Sequence, residues 1–515
     1  MNAGPGVVNA IVANSTTITI HGESALHKQE PLGVYFVEPY AEFPNHLTKP
    51  PAVVASVEWT ENSFTITIDR FQGNQDRLYA QFAVTQPVGD AAVEAPFGGV
   101  RYVTDLNGVS AVDYPYPTSG TIKGLQVHMV EDALKLGVGH AALNLNQGNI
   151  ARSAPGADTV EYVMDGRAFY FNGPVLQAFD HQLKALSDHG IVVTLILLNS
   201  LRWAGIEIRS ELRDTLLHPD HNPEGYISQF NVVTAEGLAH YKAFVEFVAE
   251  RYTRPDQKYG RACGFIIGNE VDAGWVWCNA GEKPLEEYVR QHTIALRTAF
   301  YAARKKYAQA RIYLSLTHYW TLSHLDNPLR TYKGRDIVET LNRRCQAEGD
   351  FDWSLAYHPY PQDLFHADFW NDDQAVDSFD TPRITFRNLQ ILSHYFAQPH
   401  LRYAGRLRHI ILSEQGFHSD ETEEGETIQA AAYTFAYWKV LNTPGIESFI
   451  LHAHVDNRDE FDLNLGIWRR DKNAASANAP GTPKPVYAIF RDIDGPRQAE
   501  IFQWAKSIVG DANWR

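Results

Sequence analysis

From about residue 120 onward, apolar runs and helix-period segments alternate eight times, and few architectures accept that rhythm. Gly124–Val127 reads as the first strand, and Met129–Leu136 as a helix closed by Gly137. His140–Asn146 and Ile191–Leu198 read as the second and third strands. Between them Pro174 opens a helix with Val175, Phe179, Leu183 and Leu186 at helical spacing, ended by Gly190. Phe265–Ile267 belongs to the fourth strand, Arg311–Leu316 is the fifth, Phe351–Ala356 the sixth and Ser448–His454 the eighth. The seventh ends His409-Ile-Ile-Leu-Ser-Glu414. Helical segments separate them, including Ile384–Ala397 and Thr427–Leu441, and Lys484–Phe490 starts a closing helix. Such uninterrupted apolar strands suit a parallel sheet buried on both faces. Eight strand–helix units predict an α/β fold, a (β/α)8 TIM barrel. A doubly wound open sheet would more often carry a phosphate-binding glycine fingerprint, and none follows the first strand.

Residues 7 to about 115 have a different texture. Val8–Ala13, Thr16–Ile20, Ser63–Asp69 and Arg77–Val84 alternate or are β-branched, with Gly and Pro between them. They predict a smaller all-β domain of sandwich type over residues 1–118, followed by the barrel over 119–515. No catalytic constellation is visible in that first part. Packing against the barrel is its expected role, ahead of binding carbohydrate through exposed aromatics.

Composition narrows the partners. A formal charge of −16 argues against nucleic acid and against an anionic membrane. No apolar run reaches the length of a membrane span. Cys263, Cys278 and Cys345 form neither a metal-ligand pattern nor a disulfide framework. The first residues lack the basic and apolar regions of a signal peptide, which predicts a cytoplasmic chain unless a signal was removed and Met1 added. Oligomeric state is not legible.

Two strands of the barrel end in glutamate. The fourth stops at Gly268 and delivers Asn269 and Glu270; the seventh delivers Glu414. Carboxylates just past the C-terminal ends of barrel strands stand where barrel enzymes keep their chemistry.

The barrel portion, about residues 120 to 515, resembles the clan A glycoside hydrolases, which end strand four in Asn-Glu and strand seven in Glu. The resemblance implies a retaining glycosidase that acts on an oligo- or polysaccharide and needs no cofactor. Glu270 would be the general acid and base, and Glu414 the nucleophile. Asn269 would bond the sugar hydroxyl beside the anomeric carbon. Tyr360 or His358, past strand six, would orient Glu414; packing at the barrel mouth is the competing role for both.

Sugars need flat apolar faces and polar groups. Asn144, Asn146, Asn199, Trp203, Trp275, Trp277, His318, Trp320, His452 and His454 stand at predicted strand ends and form the candidate substrate-binding set. The acidic stretch Asp456–Asn464 suggests calcium but lacks the EF-hand spacing, so a solvated or substrate-binding loop is expected. The second strand lacks the arginine often found in the clan, although Arg152 is close. The eighth ends in His452 and His454 where many members place a tryptophan. Two other classes stay open: a non-catalytic carbohydrate-binding barrel, and a metal-dependent hydrolase using His318, His358, His452 and His454.

Overall fold

The computed structural model describes residues 6–25, 32–41, 53–55, 57–85, 96–202 and 210–514. Eight parallel strands close into a barrel: β1 (Lys123–Gln126), β2 (His140–Asn146), β3 (Val192–Leu198), β4 (Ala262–Ile267), β5 (Arg311–Leu316), β6 (Trp353–Tyr357), β7 (Ile410–Gln415) and β8 (Ile446–Leu451). Pairing of Lys123 with Phe449 and of Leu125 with Leu451 joins β8 to β1. The strands read as unbroken apolar runs because both faces are covered. Ala142, Ile196, Ile266, Tyr313, Ala356, Ile411 and Ile450 pack together inside the barrel. Their neighbours Leu195, Leu197, Phe265, Ile267, Ile312 and Leu314 point outward into the larger core beneath the helices.

An all-β part precedes the barrel. One sheet orders its strands as Asp105–Leu106, Gly6–Ala13, Thr17–Ser24, Ser63–Asp69 and Glu58–Thr60, and a second as Val53–Ala55, Leu32–Val37 and Gln81–Thr85. Ile11, Ile18 and Ile66 from the first sheet and Val34, Phe82 and Val84 from the second share a core that runs on into the barrel's own. The contact with the barrel is polar and aromatic. Tyr79 donates to Glu246 Oε1 at 2.5 Å, Tyr301 donates to the Val103 carbonyl at 2.6 Å, and the Arg297 guanidinium lies 4.2 Å from the Tyr102 ring.

Two local readings change, and one element was not read from sequence. The strand expected from Arg77 begins at Gln81, because Asp76 accepts from the Leu78 N–H and caps a short 3-10 turn over Arg77–Tyr79. The helix expected over 384–397 is α-helical only over Gln390–Phe396. Its start is spent on a capping box between Thr385 and Asn388 and on amide bonds from Asn388 to the carbonyls of Val376 and Arg383. A small antiparallel sheet (Ala151–Arg152, Thr159–Met164, Arg167–Asn172) sits between the short helix Gln147–Ile150 that follows β2 and the helix Gly173–Ser187. Its hairpin turns at Asp165-Gly166, both left-handed, the pair that marks such a turn in sequence. Among the described residues no helix is long and apolar enough to cross a membrane.

Candidate active site

The C-terminal ends of the strands open into a cleft of about 750 Å³. Glu270 and Glu414 both line it. Each arrives by a different local route.

β4 ends at Gly268, whose φ of 75° turns the chain off the strand while its N–H still donates to the Leu197 carbonyl at 3.0 Å. Glu270 itself takes φ 42° and ψ 60°, a left-handed conformation that costs a non-glycine residue on the order of 1–2 kcal/mol. The surroundings hold it there. The Glu270 N–H donates to Ser315 Oγ at 3.0 Å, and the Ala273 N–H to the Glu270 carbonyl at 2.9 Å. Asp272 is buried and accepts from the N–H and hydroxyl of Thr317. Burial pushes the Asp272 carboxyl up to about 7, with the nearby Glu270 charge adding to the effect.

The Glu270 carboxylate meets His358, with Oε1 3.0 Å from Nδ1. The other ring nitrogen of His358 lies 3.0 Å from Ser413 Oγ. Burial works against a charge on His358, but its bond to Glu270 and the charges of Glu414 and Glu270 outweigh it and raise the imidazole above its ordinary value.

Glu414 stays within β7, next to the last strand residue. Its Oε1 accepts from the Tyr360 hydroxyl at 3.2 Å and its Oε2 from the Gln126 amide at 3.1 Å. Burial and then the Glu414 charge push the Tyr360 phenol well above its ordinary value, so it keeps its proton and donates. Hydrogen bonds to a charged group are worth about 1.5–3 kcal/mol each. Gly416 lets the chain leave β7 tightly: a Cβ there would meet the His452 carbonyl oxygen at 2.1 Å.

Of the residues named from sequence, Asn144, Asn269, His318, Tyr360, His452 and Trp277 line the cleft beside the two glutamates. His358 stands buried behind Glu270. Five others are elsewhere. Asn146 caps a short helix through the Gly148 N–H, and Asn199 is buried and donates to the Leu216 carbonyl at 2.6 Å. Trp275 bonds Glu224 and lies under the Arg330 guanidinium. Trp320 is fully buried against Tyr395 and donates to the Phe379 carbonyl. His454 accepts from the backbone of His128 and Met129 and bonds Asp132 at 3.0 Å, which anchors the chain after β8 to the start of the helix that follows β1. Trp203 lies outside the described residues. Arg152 bonds the carbonyls of Asn149 and Ala151 and does not line the cleft.

Gln126 and Glu460 line the cleft without having been singled out in sequence. Gln126 is the last residue of β1, so the strand-end rule that marks Glu414 marks it too. Glu460 belongs to the acidic Asp456–Asn464 stretch, which carries a buried ion pair, Asp456 with Lys484 at 2.8 Å. Phe461 of that stretch stands edge-on to Tyr226 and Trp277, which stack on each other at 5.1 Å.

Among the described residues, the group spaced to hold a metal is Glu270, His358 and Glu414, whose donor atoms lie within 4.8 Å of one another. Both ring nitrogens of His358 already face protein partners, so a cation would have to displace Glu270 or Ser413. The four histidines weighed for a metal site form no such group among the described residues: His454 does not line the cleft and bonds Asp132, and His318 is engaged by Arg383.

Over residues 115–515 the chain matches the family described as "Family of unknown function (DUF5722)", and it belongs to that family. No curated protein matches it. Similar solved structures are glycoside hydrolases. A family 39 glycoside hydrolase from Bacteroides cellulosilyticus WH2 is 13% identical, with a TM-score of 0.48, covering 95% of this chain and 82% of that one. A β-glucosidase from Pyrococcus furiosus is 15% identical, with a TM-score of 0.46 and coverage of 74% and 86%. A family 1 β-glucosidase from Thermotoga maritima is 12% identical, with a TM-score of 0.43 and coverage of 72% and 85%.

Proposed function

We propose that this DUF5722 member hydrolyses O-glycosidic bonds of an oligo- or polysaccharide with retention, with Glu270 as general acid and base and Glu414 as nucleophile. The observation that carries the reading is the approach of the two carboxylates, oxygen to oxygen within 4.8 Å across the cleft. Retaining glycosidases keep their two carboxyls about 5–5.5 Å apart, whereas inverting ones leave about 6.5–9.5 Å for a water.

The partners of each carboxylate support the division of roles. Glu414 receives two uncharged donors, Tyr360 and Gln126, which favour an ionised group without neutralising it. That suits an oxygen that must attack the anomeric carbon and form a glycosyl-enzyme. Glu270 and His358 share one proton-sized gap of 3.0 Å, so a proton near Glu270 has two holders. That suits a group which gives its proton to the leaving oxygen and then takes one from water. Asn144 and Asn269 offer polar contacts to sugar hydroxyls, and Trp277 offers an apolar wall.

The test is a screen of aryl glycosides and oligosaccharides, followed by NMR of the first-formed product. The starting anomer is expected. The opposite anomer would remove Glu414 from the nucleophile's role.

A further inference from the structure

The cleft contains a hydrogen-bond chain that the two-carboxylate chemistry does not use: Glu460, His452, Gln126, Glu414. Its polarity follows from what each group can donate. Nε2 of Gln126 lies 3.1 Å from Glu414 Oε2 and 3.3 Å from the Ser413 carbonyl oxygen. Two acceptors fix the amide nitrogen on that side, so the amide oxygen faces the other way, 2.8 Å from His452 Nδ1. An amide oxygen only accepts, so Nδ1 carries a proton. The second ring nitrogen of His452 lies 3.1 Å from Glu460 Oε1, while the other oxygen of Glu460 accepts from Asn457 at 3.2 Å. An ionised carboxylate only accepts as well, so Nε2 also carries a proton. With both nitrogens donating, the ring is an imidazolium.

We propose that His452 is a positioning residue: as an imidazolium bridging Glu460 and Gln126, it fixes the Gln126 amide with its nitrogen on Glu414. This rests on the reading of Glu414 as the nucleophile. Loss of the Nδ1 proton would turn a lone pair toward the amide oxygen. The amide would then rotate, and an oxygen would face the Glu414 carboxylate and the Ser413 carbonyl. The nucleophile would lose one of its two donors and gain a repulsive neighbour.

The surroundings favour the charged ring. The charged groups facing His452 are Glu460 from its own loop, Glu414 from β7 and Glu270 from β4. Gln126 from β1 is an uncharged partner, and Tyr360, past β6, stays a phenol. Burial opposes the charge, yet Glu460 and then the two cleft carboxylates raise the imidazole to about 9. Glu460 is held below its ordinary range by His452 against the effect of burial. One acid of the Asp456–Asn464 stretch therefore has a defined task. It ties the loop that presents Phe461 to the residue that aims the nucleophile.

The experiment is NMR on the full chain with labelled histidine ring nitrogens and labelled glutamate carboxyls. His452 and Glu414 are assigned by signals lost in His452→Phe and Glu414→Gln. Both His452 nitrogens should be protonated at pH 7.5 and titrate near pH 9, and Glu460→Gln, an isosteric change, should lower that midpoint by about one pH unit or more. The Glu414 carboxyl signal should move from its wild-type position at pH 7.5 in both His452→Phe and Gln126→Leu, because each variant disturbs the amide bond to Oε2. A His452 titrating below pH 7, or a Glu414 carboxyl signal unmoved in both variants, overturns the proposal. These readouts need no turnover. If they hold while no glycoside is cleaved by the wild type, the bridge stands and the glycosidase reading fails.

Discussion

Glu270 leaves β4 on a left-handed residue and meets a histidine, whereas Glu414 is still inside β7 and meets an amide and a phenol. The two ends of the cleft thus present the same side chain in different company. A histidine can take or return a proton near neutral pH. A phenol held far above its ordinary value and an amide cannot. On the proposed roles, the β4 end moves protons and the β7 end holds a charge still. Support differs too: the β4 glutamate depends on neighbours that enforce an unfavourable backbone, including buried Asp272 and Ser315. The β7 glutamate depends on Gln126 at the end of β1 and Tyr360 just past β6, which only closure of the barrel brings together.

The largest effect that would sharpen this contrast is at Glu414. On the proposed mechanism Glu414→Gln keeps shape and loses the attacking charge, so turnover should fall on the order of 10⁴-fold or more. A thermal melt and a sugar-binding titration on the same variant should change little. Unfolding would show that the β7 end is structural.

At the β4 end the loss should depend on the leaving group. Glu270→Ala should cost about 10²–10⁴-fold on substrates that need a proton. With a dinitrophenyl glycoside the first step should survive and the second slow, and azide should restore turnover with product of the substrate's own configuration. Glu414→Ala with azide should give the opposite configuration. Product analysis that finds one outcome for both variants would break the comparison.

The smallest effect is on stability against pH. His358 is raised above its ordinary value and His452 to about 9. A histidine raised on folding stabilises fully below its unfolded value of about 6.5, and that contribution is lost as pH rises through the folded value. The melting temperature of the wild type should therefore fall from pH 7 to 9.5. Glu460→Gln should flatten the decline, because it removes the main charge raising His452. An equal decline in both proteins would place the pH sensitivity outside the His452 pair.

The eight strands, their order and the strand-end position of Glu270 and Glu414 follow from the sequence. Apolar runs bounded by glycine and separated by helical periods specify a parallel strand whatever its partners, because burial on both faces is a local requirement of composition. Which strand-end residue faces the cleft is another matter. His452 and His454 are two apart and look equivalent in sequence, yet one reaches Gln126 within the mouth and the other reaches Asp132 at the start of the helix that follows β1. Past the last ladder bond the two-residue alternation of a strand no longer applies. Direction is then set by loop contacts such as Gly416 against the His452 carbonyl. Asn144 and Asn146 are also two apart, both within β2, yet the first is exposed to the cleft and the second is buried as the cap of the short helix that follows. Gln126, Tyr360 and Glu460 acquire their tasks only when β1, β6 and β8 stand beside β7. The bonds from Gln126 to Glu414 and to His452 span 288 and 326 residues and the one from Tyr360 to Glu414 spans 54, and no local pattern encodes such bonds.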